Sequence, residues 1–336
     1  MHSRGMVTTV GALAGVALVG WATSTALSCP FCSAPSLTMT EQLAQANAAL
    51  LVKWAGGQPA KDQDGGFTEY EVVEVVSQPV GGKLAKGNKV KLVRYRAAKA
   101  GDLYMLLGTT AGAVIDWGSP IEVTTDSFTF IKNAPKPELP TKERLKYFLK
   151  FLEHPDAMVS TDAYGEFANA PYADITAIAT EFPREKLKVW LGDAQTSPSR
   201  LGLYGLMLGL CGKDDDALVL EKKIFEPTSE FRLGIDGIMG GYLLLTGEKG
   251  LAQIEEKKLQ DKKVPFSETY SAMQALRFLW QYGDGKFEPE RLRQSMRLLL
   301  DRPELADLVI ADLARWKDWS VQDRLMAMYG KDDYDI

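Results

Sequence analysis

The sequence predicts an α+β multidomain chain: a small, closed or nearly closed β-barrel followed by a stacked α-helical array. Three observations predict it. Residues 30–133 carry short runs rich in β-branched and aromatic residues, separated by Gly81-Gly82, Gly87-Asn88 and Gly101-Asp102. Residues 133–140 hold three prolines, Pro135, Pro137 and Pro140. Beyond them the apolar period changes from that of strands to that of helices. The composition fits a soluble globular protein, with 336 residues, 46% hydrophobic and 25% charged. The 39 basic against 44 acidic residues give a net charge of -5, which disfavours general nucleic-acid binding.

Residues 1–28 read as a secretory signal peptide. Arg4 precedes an apolar run from Met6 to Ala22, then Thr23-Ser24-Thr25 and the small-x-small site Ala26-Leu27-Ser28. The run is about 17 residues and rich in Gly and Ala, weak for a permanent span. Export to the periplasm or outside the cell follows, in an oxidising compartment. The alternatives are a lipid on Cys29 or an uncleaved N-terminal anchor, the one route to a membrane. Ala26 and Pro30 flank Cys29 poorly for lipidation.

The barrel is expected over residues 29–132. Thr38-Met39-Thr40-Glu41 fits a capping box opening a short helix through Ala46. Strands are expected at Ala48–Trp54, Thr68–Val76, Lys89–Arg96, Leu103–Leu107 and Ile121–Ile131. Five short strands at this spacing suggest the barrel. Cys29, the helix into Ala46-Asn47-Ala48, Tyr70–Val75, Lys86–Val90 and Leu103–Gly108 resemble the OB-fold netrin/TIMP-like (NTR) module of secreted proteins. The resemblance covers roughly 100 residues. The chain departs from it in having Cys29-Pro30-Phe31-Cys32 in place of Cys-x-Cys and in lacking the downstream anchoring cysteines. It implies an OB-like barrel. In the inhibitors of that group the amine and carbonyl of the first cysteine chelate a protease's zinc, a role that would fall to Cys29.

Residues 133–141 form an extended, semi-rigid linker. From 142 to 330, apolar residues recur at i, i+3, i+4 and i+7: Leu145, Phe148, Leu149, Leu152; then Leu187, Trp190, Leu191, Ala194; then Leu292, Ser295, Met296, Leu299. Pro155, Pro198 and Pro303 follow, and each precedes a second apolar helix. Phe231–Leu245 and Phe266–Trp280 read as two further long helices. About five hairpins result, the signature of a stacked array. The stretches 149–168 and 292–314 resemble HEAT-type repeats, which implies an extended concave surface. Residues 331–336 are an acidic, frayed tail. The combination resembles secreted bacterial proteins and supplies no activity.

Few groups could carry chemistry. Cys29 and Cys32 form either a structural disulfide or a redox dithiol, and Cys211 is the other partner open to the N-terminal cysteines. Cys211 lies in an apolar helix and reads as a buried thiol. With His154 they are too few and too scattered for the usual zinc set, so no metal and no cofactor is expected. His154, in Glu153-His154-Pro155-Asp156, reads as a turn residue. Asp62 and Asp64 read as a hairpin turn, since Val73 stands where a calcium loop needs Glu. Asp214–Asp216 begin a helix. Asp162 and Glu166 stand one helical turn apart as a carboxylate pair without a cleft. Gly234, Gly237, Gly240 and Gly241 read as close helix packing, and Asp236 finds its nearest partner in Arg232.

These readings converge on an exported, non-enzymatic protein-binding or scaffold protein without catalytic residues. The competing readings are a thiol–disulfide or metal-linked activity at Cys29 and Cys32, or metalloprotease inhibition through Cys29.

Overall fold

The computed structural model describes residues 28–32, 36–60, 66–112, 114–228 and 230–334. The expected signal segment, as far as Leu27, and the turn expected at Asp62 and Asp64 lie outside the described residues. The fold is α+β, with a six-stranded antiparallel sheet followed by a long succession of helices.

The chain enters through α1 (Met39–Gln45), opened by the expected capping box. The Thr38 hydroxyl accepts from the Glu41 amide (3.3 Å), and the Glu41 carboxylate accepts from the Thr38 amide (2.8 Å). The strands are β1 (Ala48–Pro59), β2 (Gly66–Ser77), β3 (Lys89–Leu92), β4 (Leu103–Ala111), β5 (Val114–Trp117) and β6 (Ile121–Glu122), in the order β3-β2-β1-β4-β5 with β6 also on β4. β1 lies at the centre because its run Ala48–Val52 is apolar at every position and is buried on both faces. Ala49, Leu51 and Met105 face the helices and join the main core. Leu50, Val52, Tyr70, Val72, Tyr104 and Leu106 form a second core on the other face. The strand period of two assigns alternate residues to the two cores.

Two expected strands are shorter than the sequence suggested, and one was missed. Ile121–Ile131 is strand only over Ile121–Glu122; Thr125–Asn133 is helix α2. A Thr124–Ser127 capping box starts it, and Phe128 and Ile131 bury at helical spacing. β3 stops at Leu92 because the Thr68 hydroxyl donates to the Arg94 carbonyl (2.7 Å) and accepts from the Arg96 amide (2.8 Å), replacing the ladder there. Strand β5 lies where the sequence predicts no strand.

The helices are α3 (Thr141–Phe148), α4 (Ala157–Asn169), α5 (Tyr172–Thr176), α6 (Arg184–Gly192), α7 (Pro198–Cys211), α8 (Ala217–Phe225), α9 (Ile235–Thr246), α10 (Glu248–Ile254), α11 (Phe266–Tyr282), α12 (Pro289–Leu298), α13 (Ala306–Arg315) and α14 (Gln322–Met328). Leu145, Phe148, Leu149 and Leu152 are all buried, as are Leu292, Ser295, Met296 and Leu299. Of the middle set, Leu187 and Leu191 are buried, while Ala194 lies in solvent beyond the end of α6.

Two devices hold the helices together. First, α7 and α9 cross at glycines: a Cβ on Gly241 would come 1.9 Å from the Gly205 carbonyl oxygen, and one on Gly209 2.4 Å from the Gly241 Cα. Of the glycines expected to pack helices closely, Gly237 and Gly241 do so against Gly202 and Gly205, whereas Gly240 receives Phe31. Second, arginines clamp nearly buried carboxylates 21 to 36 residues away in sequence: Arg184–Asp216, Arg232–Glu268, Arg277–Asp312, Arg291–Glu255 and Arg297–Asp318. Charges this deep require such partners. Asp216 is therefore more than a helix-dipole residue. Burial pushes its carboxyl up, but Arg184 and the Lys213 amide outweigh that and hold it below the usual range. The tail is also anchored rather than frayed, with the Tyr334 hydroxyl donating to the Leu300 carbonyl (3.0 Å); Asp335 and Ile336 lie outside the described residues. Among the described residues no helix is long and apolar enough to cross a membrane.

Candidate functional site

Cys29 and Cys32 form a disulfide, and the Cys32 amide donates to the Cys29 carbonyl (3.3 Å), so the N-terminal cysteines close on each other and leave Cys211 free. Cys29 is buried and Cys32 half-buried. The turn between them inserts Phe31 into the helices. Its ring packs on Phe278 with centroids 4.7 Å apart, and a Cβ on Gly240 would come 2.7 Å from it. Thus Gly240 provides the seat for the disulfide turn.

Beside this turn lies a cleft of about 350 Å³, lined by Phe31, Cys32, Asp236, Tyr270 and the rim residues Phe231, Leu233 and Phe266. The expected helix from Phe231 begins only at Ile235, because Gly234 takes a left-handed φ of 79° where its Cβ would also collide with the Gly202 amide. Phe231 and Leu233 are therefore left outside the helix, 71% and 48% exposed, and Phe266 at the start of α11 is 48% exposed. Phe266 stacks on Tyr270 at 5.8 Å.

Asp236 and Arg232 both line the cleft but do not pair, contrary to the spacing argument. Arg232 is spent on Glu268 and on the carbonyls of Lys223 and Ile224. Two acceptor carbonyls and a bidentate carboxylate satisfy its fork better than one residue on the adjoining turn could. Asp236 accepts from the Gly237 amide (2.9 Å); burial pushes its carboxyl up, and that amide opposes the rise.

The other candidates are dispersed. Asp162 and Glu166 receive the entry to α1: the Met39 amide donates to Asp162 (2.6 Å), and the Thr38 hydroxyl to Glu166 (2.7 Å), which also pairs with Arg144 (3.0 Å). Burial, and secondarily Glu166 and Glu41, push Asp162 up to about 7 against the pull of the Met39 amide. His154 accepts from the Asp156 amide (3.1 Å), and Asp156 caps α4. The Cys211 thiol is half-buried, and burial, with Asp216 nearby, pushes it up to about 11. Among the described residues no three His, Cys, Asp or Glu side chains stand together to hold a metal. The exposed rim was not legible as a site. Gly234 and Pro265, the breakers just before α9 and α11, were its only signal. Comparison of the chain with protein-family models, with curated proteins and with solved structures finds no match.

Proposed function

We propose that this is an exported, non-enzymatic scaffold that binds a protein partner, built from an OB-like sheet unit and a HEAT-like helical array. One observation carries the binding reading: Phe231, Leu233 and Phe266 stand exposed around a single cleft beside the disulfide turn. Exposed apolar residues scattered singly need no explanation, but three converging on one concavity favour an interaction site. The HEAT-like reading is supported by arginine–carboxylate ties that recur at separations of 32, 35 and 36 residues. The OB-like reading is supported by the antiparallel strand order and the second core on the sheet's outer face. Among the described residues Asp236 is the only acidic side chain lining the cleft, and Arg232 there is already held by Glu268, so a partner segment with a large apolar residue beside a lysine or arginine fits it.

The test is a photo-crosslinking residue placed at Phe231 in the full chain in its native host, compared with one at exposed Val80. A discrete adduct formed from position 231, absent from 80 and lost with Phe266→Asp, is expected. Identical adducts from both positions, or turnover of a disulfide substrate by the purified chain, would overturn the reading.

A further inference from the structure

The sheet carries a second, unrelated cavity. Its two edge strands, β3 and β5, converge on a space of about 610 Å³, within the range of small-ligand sites. Tyr70 contributes to the lining, is 0% exposed, and its hydroxyl has no partner at hydrogen-bond distance among the described residues. Thr68, two residues along on the same face of β2, gives its one hydroxyl proton to the Arg94 carbonyl and accepts from the Arg96 amide, so it has no proton left to donate to Tyr70. Buried polar atoms in folded proteins are nearly always paired, so an unpaired one in a cavity lining marks a point where a water or a ligand's polar atom is held.

The walls are cationic and aromatic. Arg94 is exposed and donates only to the Ser119 hydroxyl (3.2 Å), without a carboxylate partner among the described residues. Arg96 donates to the Pro120 carbonyl (3.1 Å), and its carboxylate neighbour, Glu122, is 3.7 Å away and largely exposed. Lys91 lies over the Phe67 ring at 3.7 Å. Among the described residues Asp116 is the one carboxylate in the lining, against the two arginines. Trp117 lies against Gly108, where a Cβ would come 2.8 Å from its ring, and Tyr95 lies against Gly57 at 3.2 Å. Both aromatic walls are thereby held in place before any ligand arrives.

We propose that this cavity binds an oxyanion, carboxylate or phosphate, carried on a flat aromatic body. The guanidinium forks of Arg94 and Arg96 take the oxyanion, the Tyr70 hydroxyl donates from the floor, and Tyr95 and Trp117 hold the body. The site is independent of the cleft beside the disulfide turn.

The experiment titrates the full chain with phenylphosphate and benzoate, and with benzyl alcohol and benzamidine as neutral and cationic probes of the same body, by ligand-observed NMR and calorimetry. One or both anions bind and the other two probes do not; which anion binds more tightly identifies the oxyanion. Arg94→Gln weakens binding about tenfold or more, and Lys150→Gln, in the helical region, leaves it unchanged. Tyr70→Phe weakens binding while leaving the melting temperature equal or higher, because it removes an unpaired hydroxyl. The proposal is overturned if neither anion binds at about 10 mM, if benzyl alcohol binds as well as benzoate, if binding survives Arg94→Gln with Arg96→Gln, or if Tyr70→Phe lowers stability without changing binding.

Discussion

Arg232 and Glu268, 36 residues apart in sequence, meet through two parallel hydrogen bonds of 2.8 and 2.5 Å, and Lys258 reaches the same carboxylate at 2.7 Å. Burial works against the charged form of Glu268, but the two cations outweigh it and hold the carboxyl below its usual range. The pair ties the segment before α9 to the start of α11, and so sets the rim of the apolar cleft.

Glu268→Gln is expected to destabilise the protein by about 3 kcal/mol, because it leaves buried cations without their counter-charge. Glu71→Gln, which breaks the partly exposed Lys53–Glu71 pair, should cost less than about 1 kcal/mol. Urea denaturation of both variants checks the contrast, and equal costs would refute it. Because the folded Glu268 is depressed, its contribution is present above the unfolded carboxyl's range and fades as pH falls through the folded value.

Asp162 has the opposite sign. Its folded carboxyl titrates at about 7 against 3.8 for the ordinary group, so between those values the folded state holds the extra proton. Stability from this residue is greatest below the lower value and declines as pH rises towards 7, by no more than about 1.4 kcal/mol per pH unit. Asp162→Asn keeps an acceptor for the Met39 amide and carries no charge. It should flatten the melting temperature between pH 5 and 7.5 (chosen to bracket the folded value) and raise it at the upper end. A decline as steep as the wild type's would exclude this account.

The α7–α9 crossing tolerates no added atom at its centre. Gly241→Ala should cost about 1–3 kcal/mol or more, since its Cβ would overlap backbone rather than a movable side chain. Gly192→Ala, in open space at the end of α6, should be neutral or stabilising by up to about 1 kcal/mol. Thermal melts of the two variants decide it.

Cys211 should be slow to react. A thiol titrating near 11 instead of 9.0 has about one-hundredth of the thiolate at pH 8. Iodoacetamide labelling, followed by mass spectrometry, should therefore run about 100-fold slower than for a free thiol and recover in urea. Rapid labelling of the folded protein would contradict the burial.

The sequence by itself determined the α+β division, the capping box at Thr38, the helical faces at Leu145 and Leu292, and the packing role of the glycines. These follow from local periodicity and from side-chain bonds spanning three or four residues. It misread Ile121–Ile131, where alternating Val123, Phe128 and Phe130 imitate a strand and the Thr124–Ser127 cap prevails. It also gave Asp236 to Arg232, whereas the arginine turns to Glu268. Only the tertiary structure decided which carboxylate each arginine holds, which cysteines close, where Phe231 and Leu233 emerge, and that β3 and β5 converge around Tyr70. Those outcomes depend on groups distant in sequence competing for one buried partner. The winner is set by packing and desolvation, which no local spacing records.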